Sequence, residues 1–291
     1  MSPPSAVHRG ARVCLRAVRL TVHLSWGMAQ AWCLRWRLGP QWFGLARGAA
    51  RRRRWLQGLG DILGLRVRVS GEPMDAPGLL VANHVSWLDI VAIAAATSTT
   101  FLAKDDVRTW PIIGRLGRWS GTIFLQRARR AALGGAIDAV VEVIARGQRV
   151  ALFPEGTTSD GREVGHFHRG LFQAAVQTGA PVQAIAVRYQ RAGERDTIAP
   201  FIGDDTFLDH LLRVMAEPST EVQLDFQRPF RAERRGDLAG GTEARIRTAL
   251  ARKTPTLAEQ TDGMPPRGTA AREPDLKASF VRRRSAPGAP E

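Results

Sequence analysis

The amino-acid sequence predicts an α/β fold with a mainly parallel, mixed sheet flanked by helices, preceded by a separate basic helical segment. Two observations predict the sheet. From about residue 62, short apolar and β-branched stretches alternate with longer stretches of helical spacing. Alternation of this kind is typical of a parallel sheet with helices on both faces. The chain of 291 residues is also long enough to bury such a core without disulfides or metal ions.

Seven stretches have the composition of strands, because each combines an apolar run with β-branched or aromatic residues. They cover residues 65–71, 78–84, 98–104, 121–127, 148–156, 181–189 and 221–230. Helical spacing predicts a helix ending near residue 96 and further helices over 107–119, 129–146, 168–178, 205–216 and 241–253. These elements place residues 61–253 in one α/β domain. Residues 254–291 are dense in Pro, Arg, Ala and Gly without periodicity, which predicts a disordered tail.

Residues 1–60 differ in composition, being strongly basic and rich in tryptophan. They hold eleven arginines, no acidic residue and five of the eight tryptophans. Residues 20–34 carry no formal charge, but they include polar side chains and are shorter than the ~20 apolar residues of a spanning helix. Arginine with interleaved tryptophan favours a helix that lies in the headgroup layer of an anionic membrane. A solvated basic arm or a nucleic-acid-binding arm is the alternative.

The charge of the whole chain and the motifs it lacks narrow the class of protein. Forty-two Lys and Arg against 27 Asp and Glu give a formal net charge of +15. This charge favours a polyanion, which can be nucleic acid, an anionic membrane, or an acidic carrier or substrate. The two cysteines, Cys14 and Cys33, form neither a disulfide framework nor a zinc site. The sequence also lacks the motifs of α/β-hydrolases, P-loop and Rossmann nucleotide enzymes and zinc proteases.

The stretch NHVSWLD places a histidine directly after a buried strand and an aspartate five residues later. On one continuous helix these side chains would point about 140° apart, so they meet only if His84 lies in the strand-to-helix turn. Ser86 and Asp89 have the spacing of a capping box, which predicts a helix start there. Asp89 can then accept Nδ1–H of the imidazole and leave Nε2 as a proton acceptor. The alternative is a satisfied histidine beside a helix cap.

A histidine base without a protein nucleophile suits a reaction in which the substrate supplies the hydroxyl, such as attack of a lipid alcohol on a thioester. Four motifs, in order, resemble those of the glycerolipid acyltransferases, the family of 1-acylglycerol-3-phosphate O-acyltransferases. NHVSWLD resembles the first motif, N-H-x-x-x-x-D, and GTIFLQR the second, a strand followed by arginine. FPEGTTSDG is similar to the third motif, F-P-E-G-T-R-S, and APVQAIAV occupies the place of the fourth. The similarity spans residues 60–215.

The resemblance implies a role for each matching residue. His84 would deprotonate the acceptor hydroxyl, and Asp89 would orient the imidazole. The residues implied to bind substrate are Arg127, Glu155, Gly156 and Thr157. Among them, the arginine would hold an anionic headgroup, since a planar guanidinium with several donors suits a phosphate. The family also implies that no metal or redox cofactor is needed, with acyl-CoA or acyl-ACP as co-substrate.

Three positions depart from the family pattern. Gln126 stands where the family usually has an acid, Thr158 where arginine is common, and Ala184 where the fourth motif has its second proline. Loss of a cation near the headgroup is compatible with a less anionic acceptor. Lyso-ornithine lipid, whose acyltransferase resembles this family, therefore becomes an alternative to lysophosphatidate.

The sequence thus predicts a membrane-associated acyltransferase of phospholipid biosynthesis that moves an acyl group to a lysolipid, most simply lysophosphatidate to phosphatidate. Its predicted partners are anionic membrane lipids, the lysolipid acceptor, and acyl carrier protein or a CoA thioester. Its predicted place is the cytoplasmic face of the inner membrane, as a peripheral or monotopic protein. A rival of another class is a basic nucleic-acid-binding protein, for which we find no recognition helix or stacking platform and expect no nucleic-acid partner. A third interpretation is a catalytically altered lipid-binding relative.

Overall fold

The computed structural model describes residues 6–38, 46–105, 114, 117, 122–125 and 130–252. The predicted tail over 254–291 lies outside the described residues. The predicted helix over 107–119 does so too, apart from two glycines, and the predicted strand over 121–127 is described only at residues 122–125.

The described residues form eight strands and seven α-helices. The strands are β1 (Leu65–Ser70), β2 (Gly78–Ala82), β3 (Thr100–Lys104), β4 (Ile123–Leu125), β5 (Arg149–Leu152), β6 (Val182–Arg191), β7 (Glu194–Arg195) and β8 (Thr220–Phe226). The helices are α1 (Ala6–Leu38), α2 (Ala46–Leu63), α3 (Leu88–Ala96), α4 (Arg130–Ala145), α5 (Gln173–Thr178), α6 (Phe207–Ala216) and α7 (Arg235–Ala251). A 3₁₀ turn, Arg169–Phe172, leads directly into α5. Each of the seven predicted strands overlaps a strand of the structure.

The strands form one mixed, mainly parallel sheet, which confirms the predicted fold class. Its order is β1-β8-β6-β2-β5-β3-β4, with the short β7 paired to β6. The pairs β1–β8, β2–β5, β2–β6, β3–β5 and β3–β4 are parallel, whereas β6–β8 and β6–β7 are antiparallel. The central strand β2 is buried along its whole length, as expected of a strand covered on both faces. Its carboxyl end lies at the edge where α/β proteins place their reactive groups.

Helices cover both faces of the sheet, because successive residues of a strand point to opposite sides. Leu80 and Ala82 of β2 belong to a core that is shared with α2, α3 and α6, against which parts of α1 pack. Leu79 and Val81 belong to a second core, which is shared with α4, α5 and α7. The alternation within one strand therefore builds a three-layer domain.

Several element boundaries differ from the sequence prediction, and two of them have a clear physical reason. The last helix begins at Arg235 rather than at residue 241. Leu238 and Ala239 are buried against the sheet, and these contacts keep the chain helical across the two glycines that follow. Glycine lowers helix propensity, which is why the sequence pattern misses this turn. Strand β5 ends at Leu152 rather than at residue 156, since the chain turns at Gly156 with a φ of 70°.

One face of α1 packs on the α/β domain. The buried guanidinium of Arg16 donates to the carbonyls of Met215, Glu217 and Pro218 at 3.0, 2.6 and 2.8 Å, where α6 ends. Arg12 donates to the carbonyl of the last helical residue at 2.5 Å. Carbonyls at a helix end have no partner within the helix, so these two arginines tie α1 to α6.

Farther along α1, the ring of His23 stacks on Trp55 of α2 with centroids 4.9 Å apart. Trp55 Nε1–H donates to the His23 carbonyl at 3.3 Å, and His23 Nε2 donates to the Trp55 carbonyl at 2.9 Å. The opposite side of α1, which we call the outward face, carries seven exposed large apolar side chains. They are Val7, Leu15, Val18, Val22, Trp26, Trp32 and Trp36. Among the described residues, no helix combines the length and the apolar character that a membrane span requires.

Candidate active site

The turn between β2 and α3 carries the predicted histidine and aspartate. His84 lies two residues beyond the end of β2, and Asp89 is the second residue of α3. Nδ1 of His84 lies 2.8 Å from Oδ2 of Asp89. The two side chains therefore meet in the way that the five-residue spacing requires, one before the helix and one in its first turn. Asp89 is fully buried, whereas 17% of the His84 side chain is exposed.

This contact fixes which ring nitrogen of His84 carries the proton. A carboxylate only accepts, so Nδ1 carries the hydrogen and donates it to Asp89. Nε2 is then the acceptor nitrogen, and within the described part of the chain it makes no hydrogen bond. The ring also stacks on Phe153, the residue after β5, with centroids 4.0 Å apart. An imidazole held in this way can accept a proton at Nε2.

Both carboxylate oxygens of Asp89 accept hydrogen bonds. Its Oδ2 accepts the backbone N–H groups of Val85 and Ser86 at 2.8 and 3.0 Å in addition to the His84 ring. Its Oδ1 accepts the hydroxyl of Tyr189 at 2.7 Å. Only half of the predicted capping box forms, because the Ser86 hydroxyl is buried and has no hydrogen-bond partner among the described residues. The Asp89 carboxylate therefore stabilises the backbone of the turn and orients the imidazole of His84.

Strand β6 supports this turn from the neighbouring position in the sheet. The side-chain amide of Asn83 donates to the Val187 carbonyl at 3.0 Å and accepts the Val187 N–H at 2.8 Å. These two bonds extend the β2–β6 pairing into the start of the turn. Burial and the adjacent Asp89 raise the pKa of Tyr189 well above its ordinary value, so its hydroxyl stays protonated and donates.

Glu155, in the turn after β5, contacts the histidine turn through its carboxylate. Oε1 accepts the backbone N–H of His84 at 3.0 Å, and Oε2 accepts the N–H of Gly165 at 3.1 Å. A Cβ at Gly165 would come within 2.7 Å of Oε2, so the close approach depends on glycine. Burial raises the pKa of Glu155, although the two N–H donors act in the opposite direction. The carboxylate thus supports the backbone of His84 and the loop that follows.

The other predicted binding residues differ in their surroundings. Gly156 has a φ of 70°, and its N–H donates to the Phe153 carbonyl at 3.1 Å, which closes the turn. Thr157 is exposed beside it. Arg127 lies outside the described residues, so its predicted contact with a headgroup stays a prediction.

The loop after Thr157 is fixed to the histidine turn. The N–H of Ser159 donates to the His84 carbonyl at 2.8 Å, and the N–H of Phe201 donates to the Val85 carbonyl at 2.9 Å. Thr158, at the position where the family commonly has arginine, donates its hydroxyl to the Phe201 carbonyl. This residue therefore joins two loops of the chain, and it adds no positive charge to the site.

Trp87 connects the histidine turn to α6. Its Nε1–H donates to Nδ1 of His210 at 3.0 Å. The other ring nitrogen of His210 lies 3.2 and 3.1 Å from the carbonyls of Ala199 and Pro200, so Nε2 carries the hydrogen and Nδ1 accepts. Burial lowers the pKa of His210, which keeps this fully buried ring neutral.

Sequence reasoning missed three side chains of this region, namely Tyr189, Phe153 and His210. Tyr189 lies 100 positions after Asp89 and so escapes any local spacing rule. One signal was available, since it is the single tyrosine of the sequence and ends the apolar strand predicted over 181–189. Across the ranges that the structure describes, no group of three or more His, Cys, Asp or Glu could hold a metal ion.

The arrangement is suited to one class of enzyme. A histidine base, oriented by a buried aspartate, lies at the carboxyl end of a parallel strand. No hydroxyl or thiol of the described residues hydrogen-bonds to the His84 ring. Such a site suits a transferase in which the substrate, rather than the protein, supplies the attacking hydroxyl.

Comparison with known proteins identifies the family. A family model described as Acyltransferase matches residues 66–188. The lyso-ornithine lipid O-acyltransferase of Pseudomonas aeruginosa is 38% identical over 250 residues, 82% of this chain and 93% of that protein. The 1-acyl-sn-glycerol-3-phosphate acyltransferase of Neisseria gonorrhoeae is 38% identical over 148 residues, 51% of this chain and 58% of that protein. The crystal structure of the LPA acyltransferase PlsC from Thermotoga maritima has a TM-score of 0.62 at 21% identity, covering 86% of this chain and 99% of that chain.

The chain therefore belongs to the acyltransferase family to which these proteins belong, and it is an O-acyltransferase. The family, the enzyme class and the fold that the four motifs imply are thereby confirmed. The individual roles of His84, Asp89 and the binding residues stay predictions, which the geometry above makes specific.

Proposed function

We propose that the protein is a membrane-associated acyltransferase that moves a fatty acyl group from acyl-ACP or acyl-CoA to the free hydroxyl of a lysolipid. The observation that carries this proposal is the His84–Asp89 pair, in which a buried carboxylate holds Nδ1–H and leaves Nε2 as the acceptor. The names of the matching relatives support it, since lyso-ornithine lipid and 1-acyl-sn-glycerol-3-phosphate are both lysolipids.

The proposed reaction follows from this geometry. Nε2 of His84 accepts the proton of the acceptor hydroxyl while the hydroxyl oxygen attacks the carbonyl carbon of the thioester. The tetrahedral intermediate then collapses, the C–S bond breaks, and the imidazolium returns its proton to the departing sulfur. Asp89 stabilises the imidazolium between these two steps and keeps the ring in one orientation. No side chain is acylated, because the acceptor oxygen itself makes the attack.

For the acceptor we propose lyso-ornithine lipid. The relative that carries this name matches over 93% of its own length, whereas the relative named for 1-acyl-sn-glycerol-3-phosphate matches over 58%. Thr158 gives independent support. Its hydroxyl donates to the Phe201 carbonyl, so this position offers no guanidinium to a phosphate group. A less anionic headgroup fits a site that lacks this cation.

Lysophosphatidate is the second candidate acceptor. The four motifs resemble those of 1-acylglycerol-3-phosphate acyltransferases, and the relative from Neisseria gonorrhoeae carries that name at 38% identity. Arg127, which the resemblance assigns to an anionic headgroup, would suit its phosphate.

We also propose that the outward face of α1 contacts the cytoplasmic leaflet of the inner membrane, with the protein peripheral or monotopic. This face presents seven exposed large apolar side chains, three of them tryptophan. Tryptophan rings are favoured at the level of the lipid headgroups, and nearby arginines attract anionic lipid. The first 60 residues contain eleven arginines and no acidic residue, which adds to this attraction.

An acceptor panel tests the proposed reaction. Purified full-length protein receives acyl-ACP or acyl-CoA together with lyso-ornithine lipid or lysophosphatidate in mixed micelles, and mass spectrometry identifies the product. We expect transfer to lyso-ornithine lipid with kcat/KM about tenfold above that for lysophosphatidate, since one charge-assisted bond is worth about this factor. Transfer to lysophosphatidate alone would establish the second candidate. No transfer to either acceptor would contradict the proposed reaction.

Two variants of Thr158 test whether the missing cation at this position determines the choice between lyso-ornithine lipid and lysophosphatidate. Thr158→Arg and Thr158→Val both remove the hydrogen bond to Phe201, but only the arginine adds a cation. We expect Thr158→Arg to raise the use of lysophosphatidate relative to lyso-ornithine lipid by about tenfold, and Thr158→Val to leave the ratio unchanged. Equal ratios in the two variants would show that this position does not select the acceptor.

A further inference from the structure

Tyr189 bonds the oxygen of Asp89 that His84 does not use. The side chain is buried in β6, and its hydroxyl donates to Oδ1 of Asp89 at 2.7 Å. It is the only tyrosine in the sequence. Burial and the neighbouring carboxylate hold the pKa of Tyr189 well above its ordinary value, so the hydroxyl remains a donor near neutral pH.

The two oxygens of Asp89 have different partners. Oδ2 accepts three N–H groups, one from the His84 ring and two from the backbone of the turn. For Oδ1, the Tyr189 hydroxyl is the donor that the described residues provide. Because Asp89 is fully buried, loss of this hydroxyl would leave its Oδ1 without a donor from the described residues, which is unfavourable. Tyr189 therefore restricts the rotation of the carboxylate about its Cβ–Cγ bond together with the three donors to Oδ2.

The same hydrogen bond changes the charge that the imidazole meets. A donor at Oδ1 draws negative charge away from Oδ2, and this effect is large in a buried, low-dielectric site. With less charge on Oδ2, a protonated imidazole is stabilised less. The strength of His84 as a base therefore depends on the hydroxyl of Tyr189, through Asp89.

We propose that Tyr189 is a positioning residue of the acyl-transfer reaction, which holds the plane of Asp89 and limits the basicity of His84. The proposal rests on the proposed function, in which His84 is the base. A tyrosine with a purely structural role would make the same contact, but its removal would change stability without changing the titration of His84. The two roles therefore differ in a measurable quantity.

The variant Tyr189→Phe removes one oxygen atom and keeps the ring. We expect the acidic limb of the profile of kcat/KM against pH to move upward by about half a unit to one unit, because Oδ2 regains charge. We expect kcat to fall about tenfold, since the carboxylate loses a support of its orientation. KM for the acceptor should stay unchanged, because Tyr189 is buried beneath Asp89 and binds no substrate.

The titration of His84 can also be followed by NMR without any substrate. The chain has six histidines, and the His84 signals are those that vanish in His84→Ala. In Tyr189→Phe we expect the His84 midpoint to move to higher pH by the same amount as the kinetic limb. This readout separates two failures. Absence of acyl transfer in the unmodified protein would overturn the proposed function, whereas an unmoved His84 midpoint would overturn the role of Tyr189.

A second modification strengthens the hydrogen bond from the Tyr189 hydroxyl, whereas Tyr189→Phe removes it. Because the sequence has one tyrosine, biosynthetic replacement of tyrosine by 3-fluorotyrosine alters Tyr189 alone. Fluorine makes the phenol more acidic and therefore a stronger donor to Oδ1. We expect the acidic limb and the His84 midpoint to move to lower pH. The ring is nearly unchanged in size, so this protein gives a result even if Tyr189→Phe does not fold.

Thr242→Val is a matched control. Thr242 is also fully buried, and its hydroxyl donates to the Leu238 carbonyl at 2.6 Å within α7, away from the histidine turn. Its loss should lower Tm about as much as Tyr189→Phe and leave kcat and the pH profile unchanged. Three results would overturn the proposal: no shift in Tyr189→Phe, shifts in the same direction for Tyr189→Phe and the fluorinated protein, or an equal shift in Thr242→Val.

Discussion

The histidine turn and the outward face of α1 differ in where their partners lie. In the turn, each oxygen of the Asp89 and Glu155 carboxylates accepts at least one hydrogen bond from the chain itself. On the outward face, large apolar side chains such as Trp32 and Trp36 are exposed, at 63% and 84%. The comparison shows that internal contacts define the geometry of the turn, whereas the outward face requires a partner outside the described residues to be covered.

The largest effect on activity is expected from His84→Ala, which removes the proposed base from the histidine turn. We expect acyl transfer to fall about a thousandfold, which is within the usual contribution of general-base catalysis. Tm should change little, because the His84 side chain is partly exposed. His168→Ala, at an exposed histidine, is the control and should retain full activity. Retention of more than about a tenth of the activity by His84→Ala would contradict its role as base.

A large effect is also expected from Glu155→Gln, which tests whether the support of the turn is as important as the base. The carboxylate accepts two N–H groups, whereas an amide would place its own N–H₂ against one of them. We expect activity to fall between about tenfold and a hundredfold, since small displacements of a reacting group have such effects. Tm should also fall. The exposed Glu163→Gln is the control, and equal activity in both variants would show that the two contacts are dispensable.

A moderate effect on membrane binding is expected from substitutions on the outward face of α1. The double variant Trp32→Ser, Trp36→Ser should weaken binding to anionic vesicles about tenfold, with Tm in solution unchanged, because both rings are exposed. Cys14 and Cys33, both exposed on α1, are native thiols to which an environment-sensitive dye can be attached. Leu208→Ser, at an exposed leucine of α6, is the control. Equal weakening by the control would argue against α1 as the contact surface.

The smallest effect concerns the pH dependence of stability at His210, the residue of α6 that accepts the indole N–H of Trp87. Burial lowers the pKa of His210, so below about pH 6.5 the unfolded chain binds a proton that the folded protein does not. The free energy of unfolding must therefore decrease as the pH falls from about 6.5 through the folded-state pKa. His210→Asn keeps an acceptor for Trp87 but cannot be protonated. We expect its Tm to fall by about 2–4 °C less than that of the unmodified protein between pH 7 and pH 5. Equal losses in both would contradict this interpretation.

The parts of the fold and site that depend on local patterns could be predicted from the sequence. Strand β2 is an apolar run because it is buried on both faces, and His84 and Asp89 are close in sequence, so one spacing rule relates them. Features that depend on distant contacts could not be predicted. Tyr189 in β6 reaches Asp89 in α3 across 100 positions of sequence, and Thr158 donates its hydroxyl to the carbonyl of Phe201, whose position depends on the whole fold.

Two errors in the prediction have physical causes that the structure shows. The capping box is half formed because the Asp89 N–H donates to the Ser86 carbonyl at 3.0 Å and not to the Ser86 hydroxyl, which stays without a partner among the described residues. Helix α7 starts earlier than predicted because buried contacts compensate for the glycines in its first turns. In α7, tertiary contacts therefore outweigh a local preference that the sequence expresses correctly.

Helix α6 participates in two attachments at once. Near its start, His210 accepts the indole N–H of Trp87, three residues after His84. At its far end, the carbonyls beyond Val214 receive the guanidinium of Arg16. The amino-terminal helix and the segment that bears the imidazole are therefore both attached to α6. We expect a substitution that displaces α6 to disturb the attachment of α1 and the histidine turn together.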